Sequence, residues 1–121
     1  HPLRPELRVA EFFLRDEALA TSGTGRQHFH FQGRRYGHIL DPRTGMPAEG
    51  VYSATAIART GAEADALSTA FYVLGPDLAQ QYCQLHPNIG MFIVTAVVKQ
   101  GSIAIHTFGL REDSWRPGEE R

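Results

Sequence analysis

The spacing of apolar and polar positions changes several times along this chain, and glycines and prolines mark the changes. Val9 to Arg15 (VAEFFLR) is β-prone and predicts a strand, although it does not alternate cleanly. Ala18 to Gln27 (ALATSGTGRQ) is small and polar with two glycines, and reads as a loop. His28 to Tyr36 (HFHFQGRRY) sets Gln32-Gly33 between two short β-prone runs, which predicts a hairpin. Residues 36–50 hold too many breakers for a helix or a strand. Val51 to Ala58 alternates, with Val51, Ser53, Thr55 and Ile57 on one face, and predicts a strand.

Helical spacing follows. Leu67, Ala70, Phe71 and Leu74 fall at i, i+3, i+4 and i+7, one apolar stripe on a helix that starts near Ala62–Ala64 and ends at Leu74. Gly75 suits its C-terminal cap, and Pro76 blocks continuation. A second helix is expected from about Pro76, with Leu78, Tyr82 and Leu85 inward and a stop before Pro87. Met91 to Val98 (MFIVTAVV) is nearly all apolar, as in a strand covered on both faces, and KQGS turns the chain into a partner strand, Ile103 to Phe108. Hairpins around a central helix pair predict an α+β fold with a mostly antiparallel sheet. The expected division is a linker over 1–8, one domain over 9–110, and a charged tail over 111–121 that frays. There is no internal repeat.

Composition narrows the function classes. A formal charge of -1 from 12 basic and 13 acidic residues leaves no electrostatic footprint for nucleic acid. The lone Cys83 excludes an internal disulfide framework, and its amphipathic setting favours packing over nucleophilic chemistry. No apolar run is long enough for a membrane span. The opening His-Pro-Leu-Arg-Pro lacks a basic-then-apolar leader and reads as a linker or a cut site.

Three stretches could carry chemistry. Asp41-Pro42-Arg43-Thr44-Gly45 is ordinary turn composition, and a structural turn explains most of it. His38 and Arg43 add what a turn does not need: a titratable ring suited to general-base work, and a planar cation suited to phosphate. Ala20-Thr21-Ser22-Gly23 could bring backbone amides and hydroxyls close to a ligand, or could simply connect. Asp65 and Thr69 lie one helical turn apart, on a face almost opposite the Leu67 stripe. On spacing alone they are a solvated helix face; as a ligand pair they offer hard oxygens of the kind Mg²⁺ takes. His28 and His30 share a strand face without a third metal ligand, and Trp115 is a docking aromatic or nothing.

The order of these stretches resembles a known family. ATSG, then YGHILDPRTGMP, then a strand, then ADALSTAFYVLG, resembles the ApbE family of FAD:protein FMN transferases from about Val9 to Phe108. The resemblance implies a T-fold-like half and a Mg²⁺-dependent reaction. FAD is split at its pyrophosphate, FMN passes to a Thr or Ser hydroxyl of a target flavoprotein, and AMP leaves. It implies Thr21, Ser22 and Gly23 as the flavin-contacting segment, and Asp65 and Thr69 as metal ligands. It implies His38, Ile39, Asp41, Arg43 and Thr44 along the nucleotide, with His38 as the base. Complete members are longer; their N-terminal half supplies a Gly-Lys-Gly-type segment and a further metal ligand. Nothing before Ala18 supplies these, so the chain is expected to match a C-terminal half whose nucleotide site is open on one side. The alternatives are an FAD pyrophosphatase, a flavin- or protein-binding module without turnover, and a homo-oligomer formed through the open half-cleft. Periplasmic or membrane-anchored placement in bacteria also follows from the resemblance alone.

Overall fold

A computed structural model describes residues 1–24, 28–97 and 101–118. Gly25–Gln27 of the expected loop, Val98, the Lys99-Gln100 part of the expected turn and the last three tail residues lie outside the described residues. In chain order the elements are β1 (Ala10–Phe12), β2 (Ala18–Gly23), β3 (His28–Phe31), β4 (Arg34–Gly37), β5 (Val51–Ala58), α1 (Gly61–Leu74), α2 (Pro76–Leu85), β6 (Gly90–Ala96), β7 (Ile103–Phe108) and β8 (Trp115–Pro117). The fold is α+β, as the pattern predicts, with every strand pairing antiparallel. No helix among the described residues is long and apolar enough to cross a membrane.

A four-stranded sheet in the order β2-β5-β6-β7 forms the centre. One face carries Ala18 and Ala20 of β2, Ala54, Ala56 and Ala58 of β5, and Met91 and Ile93 of β6. Ala64, Phe71 and Tyr72 of α1, with Ala79 and Cys83 of α2, pack against it. Alanines in the middle of the sheet let the helices approach closely, which explains the choice of inward helical residues. The buried stripe of α1 is Ala64, Ser68, Phe71 and Tyr72, not Leu67, Ala70, Phe71 and Leu74. Leu67 is half-buried and Leu74 is 37% exposed. The helix is rotated so that Ala64 and Ser68 meet the alanine floor in its first half and the aromatic Phe71 and Tyr72 are enclosed in its second. In α2 likewise Ala79 and Cys83 turn inward, while Leu78 and Leu85 are exposed and Tyr82 is half-buried.

Three further expectations change. Residues 18–23, expected as loop, are strand β2; alternating Ala18, Ala20 and Ser22 toward the helices supplies the period, but small side chains give it little hydrophobic contrast. In β5 a register shift between Val51 and Ser53 turns Val51 to the helix side, so it does not share a face with Thr55 and Ile57. The tail does not fray over its described part: Glu112–Ser114 form one 3-10 turn, and β8 pairs with β1. That pair sits on the sheet face away from the helices. Phe92 of β6 meets Phe12 edge-on at 5.4 Å and Trp115 at 5.5 Å. Across the pair Glu11 opposes Arg116, whose Nε and Nη2 donate to Glu11 Oε2 at 2.9 and 2.6 Å.

The helix boundaries follow from local chemistry. Thr60 caps α1 by accepting the Glu63 N–H at 3.2 Å, the first half of a capping box. Gly75, at φ 86°, ends it by donating to Phe71 O at 2.9 Å, and Pro76 opens α2. The β3–β4 hairpin turns at Gln32 and Gly33 with φ 50° and 78°, the left-handed pair of a type I′ turn.

Candidate functional site

Strand β2 presents chemistry on both faces. Thr21 turns away from the helices, and its Oγ1 lies 2.7 Å from Thr55 Oγ1 on β5. Both line a cavity of about 660 Å³, with Gly23, Tyr52 and Phe92 nearby and with Val9, Ala10 and Phe12 of the β1 region on its wall. Ser22 points to the opposite face. Its Oγ lies 2.8 Å from Ser68 Oγ and 3.1 Å from Thr69 Oγ1, both on α1. Ser68 and Thr69 also donate to the Asp65 backbone carbonyl at 3.0 and 3.3 Å. Residues from two stretches more than forty positions apart thus form one hydroxyl cluster, with the exposed Asp65 side chain one turn before Thr69. Thr21 and Ser22, expected in one contact loop, serve opposite sides of the sheet.

The loop after β4 joins them. Gly37 packs where a Cβ would stand 3.2 Å from Thr24 Cγ2 and 3.3 Å from Tyr72 Oη, so the chain entering His38 lies against the end of the β2 segment and the last turn of α1. His38 is exposed, and Ile39 is half-buried against the core. Leu40 bridges Pro47, and the Asp41 N–H donates to Met46 O at 2.8 Å. The Thr44 and Gly45 N–H groups donate back to Asp41 O at 3.2 and 2.8 Å. Thr44 Oγ1 accepts the Met46 N–H at 3.1 Å. Gly45 takes φ 73°, which a side chain would resist.

Asp41 organises this loop. Its carboxylate accepts the Arg43 backbone N–H at 2.9 Å and both arms of the Arg43 guanidinium, Nε at 3.0 Å and Nη2 at 2.8 Å. These hydrogen bonds, and then the positive charge beside it, hold the Asp41 carboxyl below its ordinary value; the same pairing raises Arg43. Arg43 Nη2 also reaches Val73 O near the end of α1, at 3.5 Å. Arg43 is therefore turned into the loop and toward the C-terminal end of α1, whereas Asp65 stands in the first half of that helix. Asp41, Arg43 and Thr44 hold the loop's shape; Ser22 meets Ser68 and Thr69 between β2 and α1, and Asp65 joins that cluster through its backbone carbonyl.

Residues that sequence reasoning passed over complete the site. Ser68 is buried between the two segments, Thr24 and Tyr72 hold Gly37, and Thr55 pairs with Thr21. The signal for Ser68 and Tyr72 was their spacing of four and eight from Ala64. Thr24, Tyr52, Tyr72 and Glu49 also line a smaller cavity of about 280 Å³. No group of three or more His, Cys, Asp or Glu side chains comes together among the described residues. The donors beside β2 are one carboxylate and hydroxyls, a hard oxygen set that fits Mg²⁺ when water and phosphate oxygens fill the remaining positions.

A family model for ApbE matches residues 2–93. The chain belongs to the ApbE family. It is 46% identical over 92 residues to an FAD:protein FMN transferase of Treponema pallidum, covering 75% of this chain and 25% of that protein. It is 37% identical over 78 residues to the FAD:protein FMN transferase of Escherichia coli K12, covering 64% and 22%. Among solved structures, the ApbE protein of Thermotoga maritima superposes with a TM-score of 0.63 at 38% identity, covering 78% of this chain and 30% of the other. The flavinyl transferase ApbE of Pseudomonas stutzeri, in its apo form, gives 0.63 at 34% identity, covering 78% and 29%. The chain thus matches between about a fifth and a third of the length of these relatives.

Proposed function

We propose that this ApbE chain forms one wall of the site of an FAD:protein FMN transferase. The observation that carries the reading is the meeting of three separated stretches: Ser22 on Ser68 and Thr69, and Gly37 against Thr24 and Tyr72. Ordinary turn and helix-face explanations do not require them to converge. The relatives named for FMN transfer supply the reaction class. The acceptor is a Thr or Ser hydroxyl of a target flavoprotein. Its oxygen bonds to the FMN phosphorus of FAD, the pyrophosphate P–O bond breaks, and AMP leaves with the bonding pair.

In this reading His38 takes the hydroxyl proton; it is exposed and anchored by the packed Gly37 beside it. Ser22 and Gly23 would lie along the flavin nucleotide with His38 and Ile39, while Thr21, on the opposite face of the sheet, would serve the larger cavity; the Asp41–Arg43–Thr44 loop gives His38 and Ile39 a fixed base. Asp65 and Thr69 would hold Mg²⁺. That ion supplies charge neutralisation at the phosphate oxygens. The rest of the cleft comes from outside these residues.

The test uses FAD binding by the 121-residue chain, read by flavin fluorescence across a Mg²⁺ titration. Asp65→Asn keeps the shape and removes the charge, so it should abolish the Mg²⁺ dependence; Thr69→Ala, which removes only a dipole, should weaken it less. An unchanged Mg²⁺ half-saturation point in Asp65→Asn would return the pair to a solvated helix face.

A further inference from the structure

Ser68 sits in the buried stripe of α1 beside Ala64, Phe71 and Tyr72, and is 0% exposed. A hydroxyl at that depth is costly unless its hydrogen bonds are made. Ser68 Oγ donates to the Asp65 carbonyl at 3.0 Å and stands 2.8 Å from Ser22 Oγ. Ser22 Oγ stands 3.1 Å from Thr69 Oγ1, which is itself 3.3 Å from the same Asp65 carbonyl.

Each hydroxyl has one proton to give. Three hydroxyl protons cannot serve all four contacts, and the longest, Thr69 to the Asp65 carbonyl at 3.3 Å, is the one to drop. Ser68 then gives its proton to the Asp65 carbonyl at 3.0 Å, Ser22 donates to Ser68 at 2.8 Å, and Thr69 donates to Ser22 at 3.1 Å. In this arrangement Thr69 donates and does not accept. Within this cluster both lone pairs of its oxygen stay unused.

We infer that Ser68 is a positioning residue: by taking up the Ser22 proton, it keeps the Thr69 oxygen an acceptor for a hard cation beside Asp65. This rests on the metal assignment of the proposed function. Without the Ser68 oxygen, the Ser22 proton turns to the nearest remaining acceptor in the cluster, Thr69 Oγ1. It then occupies a lone pair and sets a positive dipole end against the incoming cation.

The experiment titrates Mg²⁺ alone into the 121-residue chain and follows the backbone amide resonances of residues 61–74. Wild type, Ser68→Ala, Ser22→Ala and the Ser22→Ala/Ser68→Ala double variant are compared, with a urea midpoint for each. Ser68→Ala should weaken Mg²⁺ half-saturation by about tenfold or more, the scale seen when a partner of a metal ligand is removed. Ser22→Ala alone should do far less. The double variant should recover toward wild type, because the invading proton is gone. A merely structural Ser68 makes the opposite prediction, with the double variant at least as weak as Ser68→Ala, and that result overturns the role. Wild-type resonances that never saturate with Mg²⁺ overturn both this role and the metal assignment; saturation without rescue overturns the Ser68 role alone.

Discussion

Truncating Phe71 tests how α1 is seated. Its ring is 1% exposed, lies between the alanine floor and α2, and meets Tyr82 edge-on at 5.9 Å. Phe71→Ala removes a fully buried ring from a close-packed site, which costs about 3–5 kcal/mol when the surroundings cannot collapse. The edge-to-face pair contributes about 0.5–1.5 kcal/mol within that total. Collapse is limited here because the floor residues, Ala54, Ala56 and Ala58, have no side-chain reach to fill the gap. With a urea m-value of about 2 kcal/mol per molar, the midpoint should fall by about 1.5–2.5 M. Leu74→Ala is the internal control: the residue is 37% exposed, so its truncation should cost less than half as much. Equilibrium urea melts by circular dichroism measure both. A loss under about 1 kcal/mol for Phe71→Ala, or a larger loss for Leu74→Ala, would show that the helix is rotated from the orientation described and that the Leu67–Leu74 stripe is the buried one.

Three shorter predictions accompany it. Asp41 is held below its ordinary carboxyl value, so its contribution is full above the unfolded-state pKa of about 3.9 and disappears as pH falls through the lower folded value; Asp41→Asn should flatten the acid limb of the stability profile below about pH 4, and parallel wild-type and variant profiles there would count against the Arg43 pairing. Burial pushes the Cys83 thiol up to about 11, so a thiol reagent at pH 8 should label it only as fast as the chain opens, and labelling that ignores added urea would contradict its burial. The 121-residue chain with Mg²⁺ should release AMP from FAD far below the ordinary enzyme pace of about 1–10³ s⁻¹, and steady release at that pace would mean that these residues hold a whole site.

The parts of the fold that were legible in the sequence are those where local chemistry and tertiary demand agree. The β3–β4 turn needed two left-handed residues and had Gln32-Gly33; the end of α1 needed Gly75 and then tolerated Pro76. The inward faces were not legible, because the buried side of α1 mixes small residues, Ala64 and Ser68, with the aromatics Phe71 and Tyr72, and the more hydrophobic Leu67 and Leu74 mislead a reading based on hydropathy. Strand β2 was hidden for the same reason, since Ala18, Ala20 and Ser22 barely differ in hydropathy from a connector. Thr60 and Glu63 already announced a helix starting at Gly61, a signal visible in the sequence but passed over. For the candidate site, Ser22, Asp65 and Thr69 were singled out by family resemblance. The meeting of Ser22 with Thr69 depends on a pairing between distant segments that no local pattern encodes, whereas Arg43 turns onto Asp41 within a single tight loop.

The β1–β8 pair has a consequence for the order in which the chain assembles. Glu11 and Arg116 are 105 positions apart, whereas Thr95 and His106 in the β6–β7 hairpin are 11 apart. Closing the longer loop carries the larger entropic cost, and the reward is a short two-strand ladder plus the aromatic contacts of Phe12 and Trp115 with Phe92. The inner hairpin and the helices over the alanine floor can form before that cost is met. The wall of the larger cavity, which includes Ala10 and Phe12, is then among the last surfaces to be completed and the first to open. Thr21 is exposed in the folded chain, so this pairing governs the shape of the cavity wall beside the Thr21–Thr55 hydroxyls rather than access to the Thr21 oxygen.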